Sequence, residues 1–135
     1  MKIAISTSGS NLSSPVDARF GRCPSFIVLD TNTMEFEVVP NRSVGSAHGA
    51  GIQTAQLIAS RGVEVVLTGN IGPNAFAALS TSSIKVVSGV SGTVEEVVER
   101  FKRGELEPIK GPTVGGHFGT GGRAGGMRRG RGPRA

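Results

Sequence analysis

The hydrophobic pattern of this chain changes period once, near residue 50, and that change dictates its topology. Before it come three extended runs, "KIAIST" (2–7), "SFIVLD" (25–30) and "MEFEVV" (34–39). The second is almost continuously apolar, as a strand covered on both faces must be. The third sets Met34, Phe36 and Val38 against Glu35, Glu37 and Val39, an edge-strand alternation, and "TNT" turns it back on the second. After residue 50, helices and strands alternate. Residues 50–61 put Ile52, Ala55, Ile58 and Ala59 on one helical face, with Gly62 as the stop. "EVVLTG" (64–69) and "IKVVSG" (84–89) read as buried strands, with a helix opened by Pro73 between them. "TVEEVVERFKRG" is the best-defined helix. Thr93 and Glu96 form a capping box, Val94, Val97, Val98 and Phe101 the apolar stripe, and Gly104 the end.

A meander followed by right-handed crossovers gives an α/β fold. Its five-stranded mixed sheet takes the order 3-2-1-4-5, with only the second strand antiparallel and helices on both faces. That topology carries every glycine-rich loop to one rim, outside the carboxyl ends of the parallel strands, where open α/β sheets bind ligands. Three helix N-termini reach the rim with free N–H groups, and Arg19 and Arg22 add positive charge. Glycines at 45, 49, 51, 69, 72, 89 and 92 let a ligand approach the backbone. The expected ligand is an anion of some size, with Asp17 able to pair with one of the arginines. The residues expected to hold it are Ser8, Asn11, Arg19, Phe20, Gly21, Arg22, Cys23, His48, Gly49, Ala50, Gly51, Gly69, Asn70, Ile71 and Gly72.

Cys23 is the only cysteine, so no internal disulfide can form. It sits in "DARFGRCPSF", a segment rich in turn formers, directly after Arg22. An accessible thiol with a lowered pKa is the expectation. Cys23 and His48 are the candidate metal contacts, but one thiol and one imidazole fall short of the four protein ligands of a structural mononuclear site. Noncovalent capture of a ligand, with both residues supplementary, follows. A Cys23–His48 dyad has no acid to orient the imidazole, and a two-metal nuclease needs convergent carboxylates that "KIAIST" and the ends of the later strands do not supply. The chain is not expected to be an enzyme.

The formal charge of +5 divides unevenly. Up to Ile109, nine Lys plus Arg stand against ten Asp plus Glu, giving −1. From Lys110 on, six basic residues and no acid give +6. Ten of the residues from Gly111 to Ala135 are glycine. The chain therefore reads as a domain over 1–107 followed by a disordered, Gly/Arg-rich tail over 108–135. Such a tail can bind phosphate backbones weakly and without sequence preference, or simply aid solubility. The N-terminus turns polar after five residues, which fits neither a signal peptide nor a membrane span, so a cytoplasmic protein is expected.

Together, "DARFGRCPSFIVLD", "HGAGIQTAQLI" and "VVLTGNIGPNAFAAL" resemble the dinitrogenase iron–molybdenum cofactor biosynthesis family, from Met1 to about Glu107. The resemblance implies a ribonuclease H-like α/β fold. It also implies a function, since the family includes carriers of iron–molybdenum cofactor precursors and the molybdenum–copper orange protein. This chain would then be a small carrier of an anionic molybdenum- or iron-containing sulfide cluster, with donor or acceptor proteins in cofactor assembly as partners. The alternative is an anion- or nucleotide-binding regulatory protein.

Overall fold

The computed structural model describes residues 1–41 and 50–113. Its elements are β1 (Lys2–Thr7), β2 (Ser25–Asp30), β3 (Phe36–Pro40), α1 (Ala50–Ala59), β4 (Val65–Leu67), α2 (Pro73–Thr81), β5 (Lys85–Val87) and α3 (Val94–Lys102). The strands form one five-stranded sheet in the order β3-β2-β1-β4-β5. β2 runs antiparallel to both neighbours, while β1, β4 and β5 are parallel. The expected ribonuclease H-like arrangement is the one observed.

Alternation along the strands divides the core into two layers. Ala4, Phe26, Val28, Val66 and Val86 face one side, where they pack with Ala55 and Ile58 of α1 and Ala75 and Leu79 of α2. Ile3, Ile5, Ile27, Leu29, Val65, Leu67 and Val87 face the other and meet Val94, Val97 and Val98 of α3. The central strands are apolar on both faces because helices cover both faces. On β3 the cover runs out, and Phe36 and Val38 remain 40% and 37% exposed.

Three local expectations are corrected. β3 begins at Phe36, two residues after the start of the apolar alternation, because Met34 takes a left-handed conformation (φ 65°). Its N–H donates to Asp30 O at 2.7 Å to close the hairpin turn, so it cannot be extended. On α1 the buried positions are Thr54, Ala55 and Ile58, and Ile52 is 38% exposed. Thr54 can be buried because its hydroxyl donates to Asn41 Oδ1 at 3.1 Å. The third correction concerns the domain's end. Ile109 N–H donates to Val86 O at 2.7 Å and its side chain packs on the core, while Thr113 N–H donates to Ile71 O at 2.9 Å. Residues 108–113 form a strap against the fold, so the chain packs beyond Glu107. Residues 114–135 lie outside the described residues.

The capping box of α3 is formed as expected, with Glu96 N–H donating to Thr93 Oγ1 and Thr93 N–H to Glu96 Oε1. Replacing Thr93 by Ala removes one of these bonds. Chemical denaturation should show a loss of about 1 kcal/mol, with the folded circular-dichroism spectrum unchanged.

Candidate ligand site at the carboxyl rim

The site is built where two loops are joined edge to edge. Asn70 N–H donates to Ala18 O at 2.7 Å, and Phe20 N–H donates to Asn70 O at 3.2 Å. The Arg19–Asn70 bridge between them runs parallel, like a short added strand. Gly69 permits the approach. A Cβ there would lie 2.7 Å from Ala18 Cα and 2.8 Å from its carbonyl oxygen. Gly69 thus lets chain meet chain. Gly51 serves similarly, since a Cβ on it would stand 3.1 Å from Ala75 Cβ where α1 crosses α2.

The segment after Asp17 alternates between anchor and display. Phe20 is buried and meets Phe26 edge to face, with ring centroids 5.3 Å apart. Cys23, three residues on, is fully buried in the same cluster. Arg19 and Arg22, the residues next to these anchors, are exposed. Asn41 completes the support. It is buried, its Nδ2 donates to Gly21 O (3.2 Å) and Cys23 O (2.9 Å), and its Oδ1 accepts from Thr54 of α1.

Cys23 overturns the expectation of an accessible, acidified thiol. Its Sγ donates to Phe20 O at 3.3 Å, and burial, followed by the Asp17 carboxylate, pushes its pKa up to about 12. The neighbouring arginines do not offset this, because they face solvent while the sulfur faces the core. Cys23 is a packed thiol, closed off from the rim surface. His48 and Gly49 lie outside the described residues, and Ala50 is the first residue of α1. Among the described residues, no three His, Cys, Asp or Glu side chains gather as a metal ion would require.

Arg19, Phe20, Gly21 and Arg22 instead line one wall of a pocket of about 400 Å³. Asn70, Ile71 and Gly72 form the opposite wall, with Gly51 of α1 and Pro73, Asn74 and Ala75 of α2 at its base. Eight of the expected residues are therefore brought together. Ser8 and Asn11 are not among them. Asn11 Oδ1 is occupied within its own turn, accepting from Ser13 N–H (3.0 Å), Ser13 Oγ (2.6 Å) and Ser14 Oγ (3.2 Å).

The loop holding Ser8 and Asn11 also removes α3 from the rim's donors. Val94 N–H donates to Ser14 O (2.9 Å) and Glu95 N–H to Leu12 O (2.8 Å), leaving that helix end saturated. The N-terminus of α2 differs. Gly72 gives it no side-chain cap and Pro73 has no N–H, so the N–H groups of Asn74 and Ala75 have no partner within the helix. Both residues line the pocket. The expected three open helix ends reduce, among the described residues, to this one.

Charge at the pocket is positive but partly compensated. Arg19 Nε and Nη2 donate to Asp17 Oδ1 and Oδ2 at 3.2 and 3.3 Å, and that contact raises the Arg19 pKa. Asp17 Oδ1 also accepts the Arg19 N–H at 2.9 Å, which fixes the loop as much as it neutralises it. Asn41, Asn74, Ala75 and Thr113 were not legible as site residues. Only Asn41 left a trace, as a polar residue directly ending an apolar strand.

These features define a small three-layer α/β domain with a positively biased ligand pocket at its carboxyl rim. The sequence model of the dinitrogenase iron-molybdenum cofactor family matches residues 1–104, and the chain belongs to that family. The apo form of the orange protein from Desulfovibrio gigas is similar in structure, with a TM-score of 0.82 and 43% identity over 83% of this chain and 95% of that one. A NifB-like protein from Thermotoga gives a TM-score of 0.73 and 39% identity, covering 83% and 96%. An uncharacterized protein of Methanocaldococcus jannaschii is 32% identical over 113 residues, 82% of this chain and 92% of its own.

The burial of Cys23 has a pH signature. An unfolded thiol titrates near its ordinary value of 9.0, whereas the native one holds its proton to about 12. Between those values the unfolded state sheds a proton that the native state keeps. Stability present below pH 9 should therefore decline as pH rises toward 12. Denaturation across that range should show the decline in the wild type and a shallower one in Cys23→Ala. In the native wild type at neutral pH, a thiol reagent should label Cys23 only after denaturant is added.

Proposed function

We propose that this protein carries a preformed anionic metal–sulfide cluster of the molybdenum or iron type, held noncovalently in the rim pocket. The observation that carries the reading is the convergence of the uncapped α2 N-terminus with Arg19 and Arg22 on one pocket. A sulfide-surfaced anion is large, polarizable and weakly hydrated. Guanidinium groups, themselves weakly hydrated, and backbone N–H donors suit it better than lysine or a single hard ligand would. The buried Cys23 supplies no thiolate there, so in this reading the cluster arrives assembled and leaves intact. Family membership and the likeness to the orange protein support a cofactor-related role. The partners would be the proteins that deliver and receive the cluster, and the protein itself performs no catalytic step.

The test is anaerobic titration with tetrathiomolybdate, with and without copper or iron, followed by metal analysis. Arg19→Ala/Arg22→Ala should raise the dissociation constant at least about tenfold, the loss expected when charge-assisted contacts are removed. Cys23→Ser should retain most of the metal. Complete metal loss in Cys23→Ser with the fold intact would make the thiol a ligand and overturn noncovalent capture. If the wild type takes up no thiomolybdate but binds nucleoside phosphates, the anion-binding regulator replaces the carrier.

A further inference from the structure

Thr113 is clasped to the pocket loop by three hydrogen bonds. Its N–H and its hydroxyl donate to Ile71 O at 2.9 and 3.2 Å, and Ile71 N–H donates to Thr113 Oγ1 at 2.7 Å. Ile71 lines the pocket, so the chain beyond Thr113 departs from the pocket's lip. Ile109, bonded to Val86 O, fixes the other end of the strap. The departure point is therefore held by the fold at both ends.

What departs there is strongly cationic. Residues 114–135 contain Arg123, Arg128, Arg129, Arg131 and Arg134 and no acidic residue. The preceding domain has nearly balanced charge, and of the two arginines lining the pocket Arg19 is engaged by Asp17. A multiply charged anion seated against the α2 N-terminus would keep much of its charge facing outward. We propose that residues 114–135 are a cationic arm for the pocket, launched at its lip by the Thr113 clasp, whose arginines close on the outward face of a bound polyanion. The inference rests on reading the pocket as an anion site.

Reach and tethering agree with this role. Arg123 lies ten residues past Thr113, a path of at most about 36 Å, and the other arginines follow within eleven more. A tether this short gives each guanidinium an effective concentration on the order of millimolar at the lip, with no need of tight contact. The contribution should be electrostatic and therefore screened by salt. It should also favour multiply charged anions over monovalent ones of the same size.

The experiment uses full-length protein, tetrathiomolybdate as probe, and anaerobic absorbance titration at low and high salt. Replacing Arg123, Arg128, Arg129, Arg131 and Arg134 together by Gln should raise the dissociation constant about tenfold at low salt, as a few exposed ion pairs would, and little at high salt. Thr113→Val, which keeps every charge but loosens the clasp, should weaken binding in the arginine chain and have no effect in the glutamine chain. Equal affinity of the arginine and glutamine chains would overturn the arm while leaving the pocket reading intact. Equal loss from Thr113→Val in both chains would overturn the tether. Binding that survives Arg19→Ala/Arg22→Ala but vanishes with the glutamine chain would make the tail itself the binder and also overturn the proposal. A wild type that binds no thiomolybdate fails the pocket reading, and the arm with it.

Discussion

The pairing of the Ala18–Phe20 segment with Asn70 is the contact on which the site depends. Two backbone hydrogen bonds join loops from distant parts of the sequence, and Gly69 removes the only side chain that would hold them apart. Neither loop could present a wall of the pocket by itself. Phe20 and Cys23 sink into the core beneath one loop, and Ile71 beneath the other, so the wall is fastened from below as well as from the side. Asn41 adds polar fastening to the first loop and, through Thr54, ties it to α1. A binding surface built of glycine-rich turns thereby gains the definition of a packed core, which lowers what a ligand must order on arrival.

Hydrogen-bond bookkeeping then decides where an anion can sit. Near β1 the rim is saturated, because the loop after that strand spends its carbonyls on α3 and its side chains on itself. Asn70 and Ile71 N–H groups are likewise committed, to Ala18 and Thr113. What remains at the pocket is the start of α2, where glycine and proline leave donors unclaimed. Positive potential without an internal acceptor is what distinguishes this corner from the rest of the rim.

Much of this was legible in the sequence, and the reasons are physical. Strand order follows from connection rules that need only element type and length, and the switch of period near residue 50 supplied both. The gathering of Arg19–Arg22 with Asn70–Gly72 followed from the order. Misreadings arose where long-range packing overrode local composition. Cys23 looked exposed because its neighbours are turn formers, yet the Phe20–Cys23–Phe26 spacing was an anchor pattern, and cysteine is among the residues most often buried. Open N–H groups at α3 could not be excluded from sequence, since their acceptors are backbone carbonyls of Leu12 and Ser14 some eighty residues earlier. The strap was invisible for a similar reason. "EPIKGPT" is too short and too polar to announce itself, and only Ile109 and Thr113 make specific contacts.

The strap also sets an order of events. Ile71 must wait for a partner 42 residues further along the chain, whereas the β2–β3 hairpin closes over a few residues. Contacts between distant residues form late, because the intervening loop must first be closed. On a ribosome, which releases the N-terminus first, the sheet and both pocket walls can assemble before residue 113 has emerged. The lip is then completed only by a chain that is nearly finished. An interrupted translation product would keep the fold and lack the clasp, so cargo capture is coupled to completion of synthesis by nothing more than where a threonine was placed.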